Sequence, residues 1–375
     1  TEIPFDMKAT GNTKVNGDAF DLLQNSTLSK TFDFTSGKIT FNFNSYLPDG
    51  SSGVSYTLLS NGKETAKLTV ENSKLYINST FVKQLSDKLW HKLRIEADPA
   101  TQTAVCKVNG KVVGQANFLT PADGFDEMVL SNTGEKTVKV DDIELYNLID
   151  YDVPEPVIPD GADNYTIGLN VCPLWVNGEH WGWACVSPFD DIRPVLGYYD
   201  EGLPETADWE NKFMAEHGID FQAFCWYANV STGPMKTTGL SDQLDKAYMH
   251  SKYGDKVKFC LLWEAANASH PKDFAAFRDY YVPYWIENYF TDPRYMTINN
   301  KLVFSIFGVD SLINDSNFQI KELLDYMREE VKKYGFDGMI ITASHTGTNS
   351  LAAYGFDGWQ AYNWGDKGYQ YSTNI

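Results

Sequence analysis

Up to about residue 150, apolar and polar positions alternate with a period of two, as in Ile39, Phe41 and Phe43, or Val138 and Val140 followed by Ile143 and Leu145. Successive side chains of a strand point to opposite faces, so this pattern predicts antiparallel strands half buried against a core. Turn residues recur about every ten positions and helical periodicity is nearly absent, which predicts closure as an all-β jelly-roll sandwich. Within 105–113 the pair Asn109-Gly110 separates two strand-like runs. Both residues accept positive φ, so a tight type I′ hairpin is expected there.

After residue 164 the pattern changes. Short apolar runs at 165–172, 221–227, 257–263, 302–307, 338–343 and 358–363 are separated by amphipathic stretches such as 206–217 and 241–253. Strand and helix in alternation imply a parallel sheet. The two helices are expected to stop on Gly218 and Gly254 in left-handed conformation. The sequences Gly218-Ile219-Asp220, Gly335-Phe336-Asp337 and Gly355-Phe356-Asp357 each precede a strand. A recurring junction of this kind suits a (β/α) TIM-type barrel, and equally an open α/β sheet. Six runs fall two short of an eight-stranded barrel, so either further strands lie beyond Ile375 or the sheet is not a full barrel.

Between the two patterns, residues 150–163 carry three prolines and acidic side chains without periodicity. They predict a stiff linker between a sandwich at 1–149 and an α/β domain at 164–375.

Composition narrows the function classes. The formal charge of −19 comes without a basic stripe, which argues against phosphate-backbone binding. No apolar run is long enough to span a bilayer. Cys-x-x-Cys pairs, His-Glu-x-x-His, a phosphate-binding glycine loop and a Gly-x-Ser-x-Gly elbow are all absent, so no catalytic metal and no cofactor are expected. A calcium ion on the sandwich is compatible with the sequence. Cys172, Cys225 and Cys260 sit in apolar runs and are expected as buried free thiols. The chain opens at Thr1 without a leader, and a secreted or cell-surface protein with its signal removed is the expectation.

In parallel α/β folds reacting groups gather beyond the C-terminal strand ends. Those positions hold Trp175, Glu179, His180, Trp181 and Trp183 after the first run, and Trp226, Tyr227 and Asn229 after the second. Trp263, Glu264 and Asn267 follow the third, Ser344 and His345 the fifth, and Tyr362, Asn363 and Trp364 the sixth. Aromatic faces beside carboxylates and amides suit a sugar ring, which is apolar on one face and hydroxylated at its rim. Glu264 and His345 are the candidate catalytic groups. Trp181, Tyr199, Asp200, Trp226, Tyr227, Trp263, Asn267, Tyr362 and Trp364 are the candidate substrate-binding residues, with Trp226, Trp263 and Trp364 expected to line one cleft.

Two resemblances sharpen this. Leu89-Trp90-His91-Lys92-Leu93-Arg94 followed by the Val108-Asn109-Gly110-Lys111 hairpin resembles laminin G and concanavalin-like domains. The stretch Pro194-Val195-Leu196-Gly197-Tyr198-Tyr199-Asp200, then Gly218-Ile219-Asp220 and Phe224-Cys225-Trp226-Tyr227, resembles the glycoside hydrolase family 99-like, WbsX-type domain. Phe259 to Asn267, Tyr289 to Tyr295 and Lys301 to Phe304 continue the resemblance. Gln222, Asn300 and the shifted position of Glu264 depart from the family pattern. The resemblance implies a glycan partner and a glycoside hydrolase using carboxylate acid/base chemistry, with Glu264 orienting the substrate. It also implies an acid/base pair in an E-x-x-E motif, which the chain lacks up to Ile375. A non-catalytic glycan-binding protein, or a domain of a polysaccharide-biosynthesis glycosyltransferase, are the alternatives.

Overall fold

The computed structural model describes residues 7–11, 13–16, 19–147, 151–159, 165–176, 182–189, 191, 193–229, 235–266, 269–317, 319–344, 351–360 and 362. The chain divides into two compact units, Thr1–Asp152 and Val153–Ile375.

The first unit is all-β. One seven-stranded antiparallel sheet runs in the order Lys8–Thr10, Ser26–Thr35, Phe125–Asn132, Val54–Ser60, Lys63–Glu71, Lys74–Ile77, Thr80–Gln84. The other runs Lys111–Asn117, Thr103–Val108, Leu89–Asp98, Ile39–Leu47, Val138–Asn147, Ala19–Leu22, Thr13–Asn16. Alternate residues of both sheets, among them Leu28, Phe41, Phe43, Tyr56, Leu68, Leu93, Ile95, Phe125 and Val138, close one core. Phe43 stacks on Tyr56 with ring centres 4.3 Å apart. The hairpin at Asn109-Gly110 forms as expected, with φ of 51° and 79°. Trp90 and His91 are buried at 6% and 0% exposure, and the imidazole Nε2 lies 2.8 Å from the Ser86 carbonyl oxygen. His91 shares the core-facing side of its strand with Leu93 and Ile95, while Trp90 points to the opposite face and packs on Tyr46 at 5.8 Å.

The second unit contains six parallel strands in chain order across the sheet: β1 (Gly168–Val171), β2 (Phe221–Trp226), β3 (Lys258–Glu264), β4 (Lys301–Phe307), β5 (Met339–Ser344) and β6 (Gly358–Gln360). The short strand Thr297–Ile298 adds to β4 antiparallel. The sheet is curled into a parallel half-barrel. All six expected strands are present, each within a few residues of the sequence reading.

The glycine-aspartate junctions have a physical reason. Gly218, Gly335 and Gly355 take φ of 72°, 92° and 92°, ending each helical stretch in the left-handed region. The aspartate that follows locks the next strand to its neighbour. Asp220 N–H donates to Ile167 O at 2.8 Å, and its carboxylate accepts from Ile167 N–H at 2.7 Å. Asp357 repeats both bonds with Ile341, at 2.9 Å and 2.8 Å.

Helical segments differ more from expectation. Pro204–Glu216 is regular and buries Ala207, Asn211 and Ala215. The expected helix over 241–253 is instead a succession of short turns, Gly239–Ser241, Gln243–Ala247 and Tyr248–His250. Gly254 does not take positive φ. Its reason is space, since a Cβ there would lie 2.9 Å from Arg294 Nη1. The expected linker residues are also not free of the second unit. Val153 is 3% exposed and its carbonyl accepts from the Tyr253 hydroxyl at 2.6 Å, while Val157 N–H donates to Glu216 at 3.0 Å.

Candidate functional site

Strand parity decides which side chains can meet at the C-terminal end of the half-barrel. In β2, Gln222, Phe224 and Trp226 face the covering helices: Gln222 Nε2 donates to Asn211 Oδ1 at 2.8 Å, and the Trp226 ring packs on Trp285 at 5.3 Å. Phe221, Ala223 and Cys225 therefore face the concave side. In β3, Trp263 packs on Trp285 at 5.2 Å, which turns Cys260, Leu262 and Glu264 to the concave side. The register carries the same parity to Phe307, Ser344 and, past β6, Tyr362.

Contacts across the mouth agree. The Tyr362 ring lies 5.0 Å from Phe307 beyond β4, while its hydroxyl lies 3.6 Å from Cys225 Sγ in β2. In a flat sheet four strand spacings of about 4.8 Å would separate β2 from β6 by about 19 Å, farther than a tyrosine reaches, so this contact measures the curl. Cys172, opposite Cys225 just past β1, has its Sγ 3.6 Å from the Tyr227 hydroxyl. Burial pushes the Tyr227 and Tyr362 hydroxyls far up, and the Cys172 thiol together with burial does the same to Cys225. These two hydroxyls and the Cys225 thiol are neutral at physiological pH.

Trp226 and Trp263 are corrections to the sequence reading. Both are fully buried, with Trp226 Nε1 donating to the Tyr289 hydroxyl at 3.1 Å and Trp263 Nε1 to the Ser269 carbonyl at 3.2 Å. They belong to an aromatic core shared with Tyr281 and Trp285, under the helical stretch 274–290, and face no cleft. Glu264 is half-buried on the concave side, where its Oε1 accepts from Ala266 N–H at 3.3 Å. Asp200 caps a turn, accepting from Gly202 N–H at 2.7 Å. His345, Trp181, Asn267 and Trp364 lie outside the described residues.

A second group sits in the loop after β1. The rings of Trp175 and Trp183 stack at 4.1 Å and 23°, and Trp183 meets Tyr199 edge-on at 5.0 Å and donates to its carbonyl at 2.6 Å. Glu201, 5% exposed, accepts from Trp175 N–H at 2.9 Å. Burial, then the charge of Glu210, push its carboxyl up to about 8. Glu210 on the helix Pro204–Glu216 is itself raised to about 7 by burial, against a 3.3 Å hydrogen bond from Gln243. Tyr199 is lifted to about 12 by burial and by both carboxylates. Sequence reasoning passed over Glu201 and Glu210, because nine positions between a loop and a helix make no motif. It also passed over His270, whose imidazole bridges the Ala265 carbonyl at 2.9 Å and the Asp315 carboxylate at 2.7 Å, tying the loop after β3 to the one after β4. Among the described residues no three histidine, cysteine or carboxylate side chains come together as metal ligands.

A search of curated proteins finds no match. Among solved structures the chain is similar to a protein described as "Sialidase" (10% identity, TM-score 0.33, covering 36% of this chain and 16% of that one). It is similar also to a Trypanosoma rangeli sialidase in complex with sialic acid (10%, TM-score 0.31, 38% and 28%) and to a binding domain of Botulinum Neurotoxin DC (12%, TM-score 0.31, 38% and 44%). Each match spans less than half of the solved chain. Residues 191–372 match the family described as "Glycosyltransferase WbsX", so the second unit carries a WbsX-like domain, of a carbohydrate-related kind.

Proposed function

We propose that this protein cleaves glycosidic bonds of an oligosaccharide or polysaccharide by carboxylate acid/base chemistry at the C-terminal end of the half-barrel, as an exported or cell-surface enzyme. The observation that carries this reading is the convergence of Glu264, Tyr362, Phe307 and Cys225 on one concave face, with a stacked pair of tryptophans in the loop that follows β1. A sugar needs what such a site offers: ring faces for its C–H surface, neutral hydroxyls for its rim, and a carboxylate to orient a hydroxyl or take its proton. The sandwich is, on this reading, a lectin-like accessory.

The family description favours a second reading, transfer of a sugar from an activated donor. One experiment separates the two. The protein is incubated with a panel of polysaccharides, and separately with nucleotide-sugar donors and oligosaccharide acceptors. New reducing ends, lost by about a hundredfold in Glu264→Gln at unchanged thermal midpoint, are the expected result. Product only in the donor arm would replace hydrolysis by transfer.

A further inference from the structure

We infer that Glu201 is the proton donor of this site, with Glu210 as the positioning carboxylate behind it; the inference rests on the glycan-cleaving reading above. Glu201 is held from both ends of its residue. Its N–H donates to the Trp175 carbonyl at 3.3 Å, and its Oε2 accepts from Trp175 N–H at 2.9 Å. This clamp sets the carboxyl beside the Trp175–Trp183 stack, where a sugar ring would rest. Glu201 is only 5% exposed, and its other oxygen makes no hydrogen bond among the described residues.

An independent observation comes from Gln243. It is 2% exposed and gives its amide N–H to Glu210 at 3.3 Å, yet its carbonyl Oε1 has no partner among the described residues. A buried amide oxygen without a donor is costly. The carboxyl within reach is Glu210, so a proton held on the Glu201–Glu210 pair supplies the donor that this pocket lacks. The groups facing Glu201 are the carboxylates of Glu210 and Asp200 and the thiol of Cys172, and the Tyr199 hydroxyl lies near both glutamates. None is cationic; the Trp175 N–H favours the charged form, and burial with the Glu210 charge outweighs it. Burial and this company keep the Glu201 carboxyl protonated to about pH 8, the condition a general acid needs at neutral pH.

The step is balanced without a co-reactant other than water. Glu201 gives its proton to the glycosidic oxygen as the bond to the anomeric carbon breaks, and the bonding pair stays on that oxygen. Water supplies hydroxyl to the anomeric carbon, and its remaining proton returns through solvent to the Glu201 carboxylate.

The test uses the full chain and matched hexosides with methyl or 2,4-dinitrophenyl as leaving group, together with the polysaccharide panel. Dinitrophenolate departs without protonation, so Glu201→Gln should lose about a hundredfold or more on methyl glycosides and polysaccharide but less than tenfold on the dinitrophenyl series. Glu210→Gln should instead move the alkaline limb of the rate profile to lower pH. Thermal midpoints are measured alongside, and Glu201→Asp, which keeps the acid, should recover part of the methyl-glycoside rate if Glu201→Gln folds poorly. Equal loss on both leaving groups, or no loss, overturns the assignment of Glu201 while leaving glycan cleavage standing. A wild-type protein that cleaves none of these substrates overturns both.

Discussion

The indole nitrogen of Trp226 donates to the Tyr289 hydroxyl at 3.1 Å, and that hydroxyl donates onward to Asp245 at 2.8 Å. The chain of two bonds pins β2 to the helical stretches on either side, with every member buried. Trp226→Phe should therefore act on stability, through a lost hydrogen bond and a partly emptied ring site worth together about 2–3 kcal/mol. For a unit of this size the thermal midpoint should drop by roughly 5–10 °C. An unchanged midpoint with impaired glycan turnover would return Trp226 to the binding surface.

Glu201 makes the stability of the second unit depend on pH. Its carboxyl is raised from 4.5 to about 8 in the folded chain, so between those values the folded state keeps a proton that the unfolded state has released. Stability then falls as pH rises, by up to about 1.4 kcal/mol per unit for one proton. Glu201→Gln should match the wild type near pH 4 and exceed it at pH 8, as read from urea midpoints. Parallel curves for the two proteins would show that the carboxyl is not raised.

The stacked pair Trp175–Trp183 is the tryptophan surface proposed for a sugar now that Trp226 and Trp263 are assigned to the core. Binding of a mixed oligosaccharide digest should quench intrinsic fluorescence. Trp183→Ala should remove most of the quench, while Trp263→Phe should keep it. Retention of the full quench in Trp183→Ala would move the glycan away from the loop after β1.

Much of this architecture is readable in the amino-acid order, and the reason is local. The hairpin at Asn109-Gly110 and the stops at Gly218, Gly335 and Gly355 need a backbone conformation that few residues accept, so the residue type announces it. Buried strands announce themselves by runs of apolar side chains, but such runs hide which face is which. Trp263 and Glu264 are neighbours in sequence and both read as mouth residues, although strand pleating sends one into the helical layer and the other to the concave side. Gly254 mimics a helix stop and is instead a gap for Arg294. Glu201 and Glu210 acquire their chemistry from burial and from each other, properties that no spacing rule encodes.

The order of strands also sets how each unit can be assembled as the chain is made. Each strand of the half-barrel pairs with the next in sequence, so the sheet can grow by addition as synthesis proceeds. The sandwich cannot. Ile39–Leu47 waits for Val138–Asn147, and Ser26–Thr35 waits for Phe125–Asn132, so the two sheets stay open along a central strand until about residues 147 and 132 have emerged. Distant pairings of this kind are slow and leave edges unpaired meanwhile. The N-terminal unit, though first to be synthesised, is the one whose folding depends most on protection from premature contacts.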